Sequence, residues 1–241
     1  MKYYTQLKEL RIFTYNDAVK FMKSRDNATL VLRNMIKKGI IKRVKKDLYV
    51  VKEFFENNNK AKYIIGSYIN DFSFISYHSA LEYYELETSS LRKLQVSSPY
   101  RFYDLAFEGY DYCYCRSKIL CQVDIIDDIK VTSIERTIID CINTIGKEIS
   151  LNELTNCLEK IDCLNEEKLK EVLLAYNKDT LYKKAGYYLA FFKDQLNLSN
   201  EFFDFCKMNT NDKNKTFFVS RKDEDLVYIS EWSLYAYKNI R

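Results

Sequence analysis

Five glycines and one proline are few for 241 residues, and they exclude a collagen-like repeat or a Pro/Gly-rich linker protein. They also argue against a glycine-dependent phosphate-binding loop. No apolar run approaches the roughly 20 residues of a membrane span. The opening Met1-Lys2-Tyr3-Tyr4 has no signal-peptide core. The cysteines are seven, an odd number at irregular spacing, which argues against a disulfide scaffold in a chain this long. A reducing cytoplasm is the expected compartment, with no membrane partner. What is present is a 47% hydrophobic and 30% charged composition, enough for a folded core in one or two domains.

The net charge of +4 hides a division. Residues 1–52 hold 14 Lys and Arg against 4 Asp and Glu, a net +10, and residues 53–241 hold 24 against 30, a net −6. A general lysine bias would not confine the positive excess to one fifth of the chain. A basic front piece on an acidic body predicts that the front piece meets a polyanion.

The first fifty residues read as three short helices and a hairpin. Tyr4 to Leu10 forms the first helix. Thr14 or Asn16 caps a second, running through about Met22. Asp26 or Asn27 caps a third that runs to Lys38, with Ala28, Val31, Leu32, Met35 and Ile36 as its buried stripe. Gly39 follows the last turn, where a left-handed residue commonly ends a helix. Ile40–Val44 and Leu48–Val51 read as two strands joined by Lys45-Lys46-Asp47. This is a winged helix-turn-helix pattern. Seven cations, Arg33, Lys37, Lys38, Lys42, Arg43, Lys45 and Lys46, lie within 14 residues with no acid among them. In that geometry the third helix enters the major groove. Arg25, Asn27, Thr29, Arg33 and Asn34 are the expected base contacts, because Arg pairs with guanine and Asn with adenine through two hydrogen bonds. Lys37, Lys42, Arg43, Lys45 and Lys46 are the expected phosphate contacts, which set register.

Three segments carry a family resemblance. The first is Met35-Ile36-Lys37-Lys38-Gly39-Ile40-Ile41-Lys42-Arg43-Val44, closing with Leu48-Tyr49-Val50. The second is Phe74-Ile75-Ser76-Tyr77-His78-Ser79-Ala80-Leu81-Glu82-Tyr83-Tyr84-Glu85-Leu86, and the third Val131-Thr132-Ser133-Ile134-Glu135-Arg136-Thr137-Ile138-Ile139-Asp140. In order and separation they resemble the AbiEi family of bacterial transcriptional regulators and antitoxins over at least residues 1–145. Asp47 departs from the glycine that often precedes the family's final wing strand, so the wing is expected either to turn differently or to place a carboxylate near the phosphates.

The resemblance implies an autorepressor on operator DNA with inverted repeats, bound as a homodimer. It also implies the antitoxin of a type IV abortive-infection pair active in phage defence. The partner is a nucleotidyltransferase-like toxin, counteracted directly or indirectly. His78, Ser79, Glu135, Arg136 and Asp140 are the motif candidates in the antitoxin domain.

The expected fold class is α+β. A winged helix-turn-helix occupies residues 1–52, a linker 53–62 and a mixed α+β domain 63–241, with two lobes split near Gly146. Helices are expected at 61–71, 77–86, near 165–176, 180–197 and 199–208. Thr132-Ser133-Ile134-Glu135 and Ser150-Leu151-Asn152-Glu153 are capping-box patterns.

Other constellations are weaker. Cys113, Cys115 and Cys121 with His78 lack the two-residue gaps of paired zinc cysteines, so no metal is expected. His78, Ser79 and Asp140 lack a nucleophile elbow. Gly66-Ser67 with Asp71 has the start of a nucleotidyltransferase motif but no following Asp-x-Asp. Asp124, Asp127 and Asp128 read as a solvated turn, and Lys183, Lys184 and Lys193 as a solvated basic ridge. Arg136 and Asp140 read as an i,i+4 pair. No cofactor and no enzymatic activity are expected. The rival reading is a winged-helix regulator without a toxin partner, its C-terminal domain sensing a ligand or a protein.

Overall fold

A computed structural model describes residues 3–87, 92–211, 215–219 and 225–240. The fold is mixed α+β. It divides into two compact units: Met1–Ile75 with Arg92–Arg116 and Ile125–Lys130, and Ser76–Leu91 with Ser117–Asp124 and Val131–Arg241. This differs from the division expected at 52 and 62.

The first unit opens with α1 (Tyr4–Leu10), β1 (Ile12–Thr14), α2 (Tyr15–Met22), α3 (Arg25–Lys37), β2 (Ile41–Lys45) and β3 (Leu48–Val51). Strand β1 was not expected from the sequence. It pairs antiparallel with β3 in the order β1-β3-β2. Thr14 ends β1 and caps α2 in a reciprocal box: its hydroxyl accepts from the Asp17 amide at 3.2 Å, and Asp17 accepts from the Thr14 amide at 3.0 Å. Helix α3 starts earlier than expected, because Lys23 takes a left-handed φ of 55° and leaves Ser24 extended. The Ser24 hydroxyl then accepts from the Asn27 amide, so neither Asp26 nor Asn27 is the cap. Gly39, at φ 65°, ends the helix as expected, and the amide of Ile40 returns to the Met35 carbonyl at 2.9 Å. Leu7, Phe13, Ala18, Met22, Ala28, Leu32, Met35, Ile41, Tyr49 and Val51 form the core of this segment.

Residues 53–62, expected as a linker, are helical at both ends, in α4 (Lys52–Glu56) and the start of α5 (Ala61–Ser67). Helix α5 is shorter than expected. It packs closely on strands β4 (Phe74–Ile75) and β5 (Lys93–Ser98), where a Cβ on Gly66 would stand 2.6 Å from Ile75 Cδ1. Strands β6 (Leu105–Phe107), β7 (Tyr110–Arg116), β8 (Val123–Ile126) and β9 (Ile129–Thr132) complete a sheet of order β6-β7-β5-β4-β9-β8. Strands β5 and β7 run parallel.

The second unit holds α6 (His78–Tyr83), α7 (Ile134–Thr144), α8 (Leu151–Leu158), α9 (Glu166–Tyr176), α10 (Asp179–Ala190) and α11 (Asn200–Met208). Short strands β10 (Thr216–Phe217), β11 (Val227–Ile229) and β12 (Leu234–Ala236) form a sheet of order β10-β12-β11. Ser133, not Thr132, caps α7, while the box at Ser150 forms as expected. Helix α10 stops at Ala190, short of the expected 197; Phe192 and Leu196 are buried beyond its end. Ile145 and Ile149, on either side of Gly146, belong to one core cluster, so no lobe boundary falls there.

The expected basic ridge is also absent. Lys183 is fully buried, donating to the Asn211 carbonyl at 2.6 Å and lying 3.3 Å from Asp179. Burial, and then the charge of Lys147, push the Lys184 pKa down to about 8. No helix of the described residues is long and apolar enough to cross a membrane.

Candidate nucleic-acid interface

Helix α3 buries Ala28, Leu32 and Met35 and turns its opposite side to solvent. At about 100° per residue, Asp26, Leu30, Arg33, Asn34 and Lys37 share that outer side. All five are exposed. Of the residues expected to read bases, Arg33 and Asn34 therefore lie together on the open face. Arg25 is exposed on the first turn. Asn27 is half-buried, and its backbone N–H donates to the Ser24 hydroxyl that caps the helix. The Thr29 hydroxyl donates to the Arg25 carbonyl at 2.9 Å and lies 3.0 Å from the Tyr15 hydroxyl. Its donor is thus committed within the protein, leaving it only an acceptor lone pair for a base.

The β2–β3 hairpin supplies the remaining candidates. A register shift between Arg43 and Lys45 bends β2. Arg43 and Lys46 are exposed and Lys45 is half-buried. The Arg43 Nε–H donates to the Lys45 carbonyl at 3.3 Å. Asp47 takes φ 65°, a left-handed conformation that glycine adopts more freely. The Asp47 carbonyl also accepts from the Tyr15 amide at 3.1 Å, which ties the turn to the start of α2. The turn is thus left-handed at Asp47, with an exposed carboxylate beside Lys46.

Lys42 stands apart. Its ammonium lies 2.7 Å from Glu108 and 3.7 Å from Glu56, with its side chain 24% exposed. Lys42 is therefore already neutralised by two carboxylates. The sequence shows seven cations within 14 residues; the structure leaves Arg33, Lys37, Lys38, Arg43 and Lys46 exposed.

The motif candidates of the second unit form a different kind of site. His78 and Ser79 are buried at the start of α6. Glu135 accepts from the Asn165 amide at 3.1 Å. Arg136 is fully buried and is held from three sides: Nη1 donates to the Cys121 carbonyl at 2.6 Å, and Nη2 donates to the Ile119 carbonyl at 2.9 Å and to the Ser117 hydroxyl at 3.1 Å. Its Nε lies 3.5 Å from Asp140 Oδ2, and Asp140 Oδ1 accepts from the Tyr176 hydroxyl at 2.5 Å. Burial holds the Asp140 carboxyl above its ordinary range despite the guanidinium beside it. Burial likewise raises Tyr176 and Cys121. Sequence reading anticipated the Arg136–Asp140 spacing but missed the capture of segment 117–121. Among the described residues no group of three or more His, Cys, Asp or Glu is placed to hold a metal ion.

The chain is similar in fold to the RV2827C protein of Mycobacterium tuberculosis. That crystal structure aligns with a TM-score of 0.56 at 9% sequence identity, covering 93% of this chain and 85% of that one. At such identity the likeness is one of fold. No protein-family model and no curated protein matches the chain.

Proposed function

We propose that the chain is a DNA-binding autorepressor and the antitoxin of an abortive-infection toxin–antitoxin operon, as its resemblance to AbiEi proteins implies. In this reading residues 1–52 are a winged helix-turn-helix. Helix α2 crosses the backbone, α3 is the recognition helix, and the β2–β3 hairpin is the wing. The observation that carries it is the union of the open face of α3, bearing Arg33, Asn34 and Lys37, with exposed Arg43 and Lys46 on the hairpin. A module with net charge +10 gains most from a polyanion, and counter-ion release supplies sequence-independent affinity.

Arg33 and Asn34 read base edges in this arrangement, and Lys37, Arg43 and Lys46 hold phosphates. Two copies on inverted half-sites about 34 Å apart match the symmetry of such operators. The acidic body, net −6 over residues 53–241, acts against the nucleotidyltransferase-like toxin, and the Arg136–Asp140 pair keeps that body folded.

The test uses the full chain and DNA from upstream of its own gene. Wild type binds that DNA with affinity falling steeply as salt rises from 50 to 200 mM, by about 10³-fold or more for six phosphate contacts. Combined R33E, K37E, R43E and K46E abolishes binding and derepresses a reporter, yet still protects cells that express the adjacent toxin gene. Unchanged DNA binding by that variant defeats the DNA-binding reading. Failure of wild type to protect cells defeats the antitoxin reading alone.

A further inference from the structure

Leu30 lies at the centre of the open side of α3 and is 59% exposed. Helical geometry places it roughly opposite the buried Ala28, Leu32 and Met35. Asp26 lies one turn before it, Arg33 and Asn34 one turn after, and Lys37 two turns after, all exposed. A single exposed leucine is ordinary by itself, but one at the centre of a cationic face gains burial when a partner recruited by the charges covers it. The covering surface must also accept Arg33 and Lys37 beside the leucine. An apolar protein surface would strip water from those two cations without pairing them. A polyanion neutralises them, so the charge of the face selects nucleic acid as the occupant. Within a DNA major groove one base alone presents an apolar group, the 5-methyl of thymine.

We infer that Leu30 reads thymine: its side chain packs on a thymine 5-methyl group while Arg33 and Asn34 hydrogen-bond to neighbouring base edges. The inference rests on the DNA-binding reading and adds a specificity-determining residue to it. Leu30 is thus added to the expected base contacts Arg33 and Asn34, while the Thr29 hydroxyl is engaged by the Arg25 carbonyl and the Tyr15 hydroxyl. Asp26, on the same side, opposes phosphate and suits the amino group of cytosine or adenine. The N-terminal half of α3 is thereby directed over base edges, and its C-terminal end, with Lys37 and Lys38, toward the backbone.

The experiment selects duplexes bound by the full chain from a randomised pool and then remakes the best one with deoxyuridine at each thymidine in turn. Deoxyuridine lacks only the methyl group. At one thymidine per half-site the replacement is expected to weaken wild type about fourfold, the factor that one buried methyl gives. L30A, which keeps the helix, is expected to bind the thymidine duplex several-fold more weakly than wild type and to be indifferent to deoxyuridine at that position. Equal sensitivity of wild type and L30A at every position overturns the inference and leaves DNA binding intact. Wild-type affinity unchanged by every replacement does the same. A pool from which no duplex is enriched overturns the DNA-binding reading and this inference together.

Discussion

Lys42 of strand β2 lies 2.7 Å from Glu108, a residue 66 positions later in the chain. Glu56 approaches the same ammonium at 3.7 Å. If the chain binds DNA as proposed, a cation already held by two carboxylates releases few counter-ions on binding. K42Q should therefore leave the slope of log affinity against log salt nearly unchanged. R43Q and K46Q should each reduce it by about 0.9, the value of one phosphate contact. Salt titration of binding checks this. A large slope change in K42Q would show that the pair opens on DNA. In the free protein K42Q should cost under about 1 kcal/mol, because both partners are partly exposed.

Arg136 and Asp140 are buried at 0% and 1% exposure. Removing the guanidinium leaves a buried carboxylate with Tyr176 as its remaining donor and orphans the carbonyls of Ile119 and Cys121. R136M should cost about 3–5 kcal/mol in urea denaturation. R136M/D140L should lose less than R136M alone, because the uncompensated charge is gone. A double variant worse than the single would mean that Asp140 has a role beyond pairing.

The capping box at Ser150 and Glu153 predicts an acid-sensitive helix end. The Ser150 hydrogen bonds hold the Glu153 carboxyl below its ordinary range. A depressed carboxyl contributes stability that is present above its unfolded pKa, about 4.3, and is lost as pH falls through the lower folded value. E153Q should flatten that part of the stability–pH curve between about pH 5 and 3. S150A should cost about 1 kcal/mol at neutral pH. Chemical denaturation across the pH series measures both.

Gly186 of α10 lies against the single tryptophan, Trp232, where an added Cβ would come within 2.2 Å of two ring carbons. The ring is 5% exposed, so it cannot yield without leaving its site. G186A should destabilise the chain by about 1–3 kcal/mol. It should also shift tryptophan emission to the red, a direct readout of a displaced indole. An unshifted spectrum would mean that the helix moves instead of the ring.

Much of this protein was written locally. Ser133, Ser150, Asn165 and Ser199 each accept from the backbone amide three residues on, so the starts of α7, α8, α9 and α11 follow from adjacent side chains. The buried face of α3 is legible at Ala28, Leu32 and Met35, though Val31 is half-buried and Ile36, expected on the same stripe, is exposed; the left-handed Gly39 is legible too, because a helix decides its faces and its end within a few residues. The segregation of charge between residues 1–52 and the rest is a property of composition alone.

Tertiary structure decided what depends on distant partners. Three residues of β1 become a strand because β3 lies beside them, some 36 residues away in the case of Phe13 and Tyr49. Lys42 and Arg43 are neighbours of like charge in sequence, yet one is neutralised by Glu108 and the other is exposed. Lys183, expected on a solvated ridge, is buried and donates to the Asn211 carbonyl, and Arg136, expected to pair with Asp140, is also held by the carbonyls of Ile119 and Cys121. The cost of dehydrating a charge depends on what surrounds it in space, and hydropathy along the chain does not carry that information.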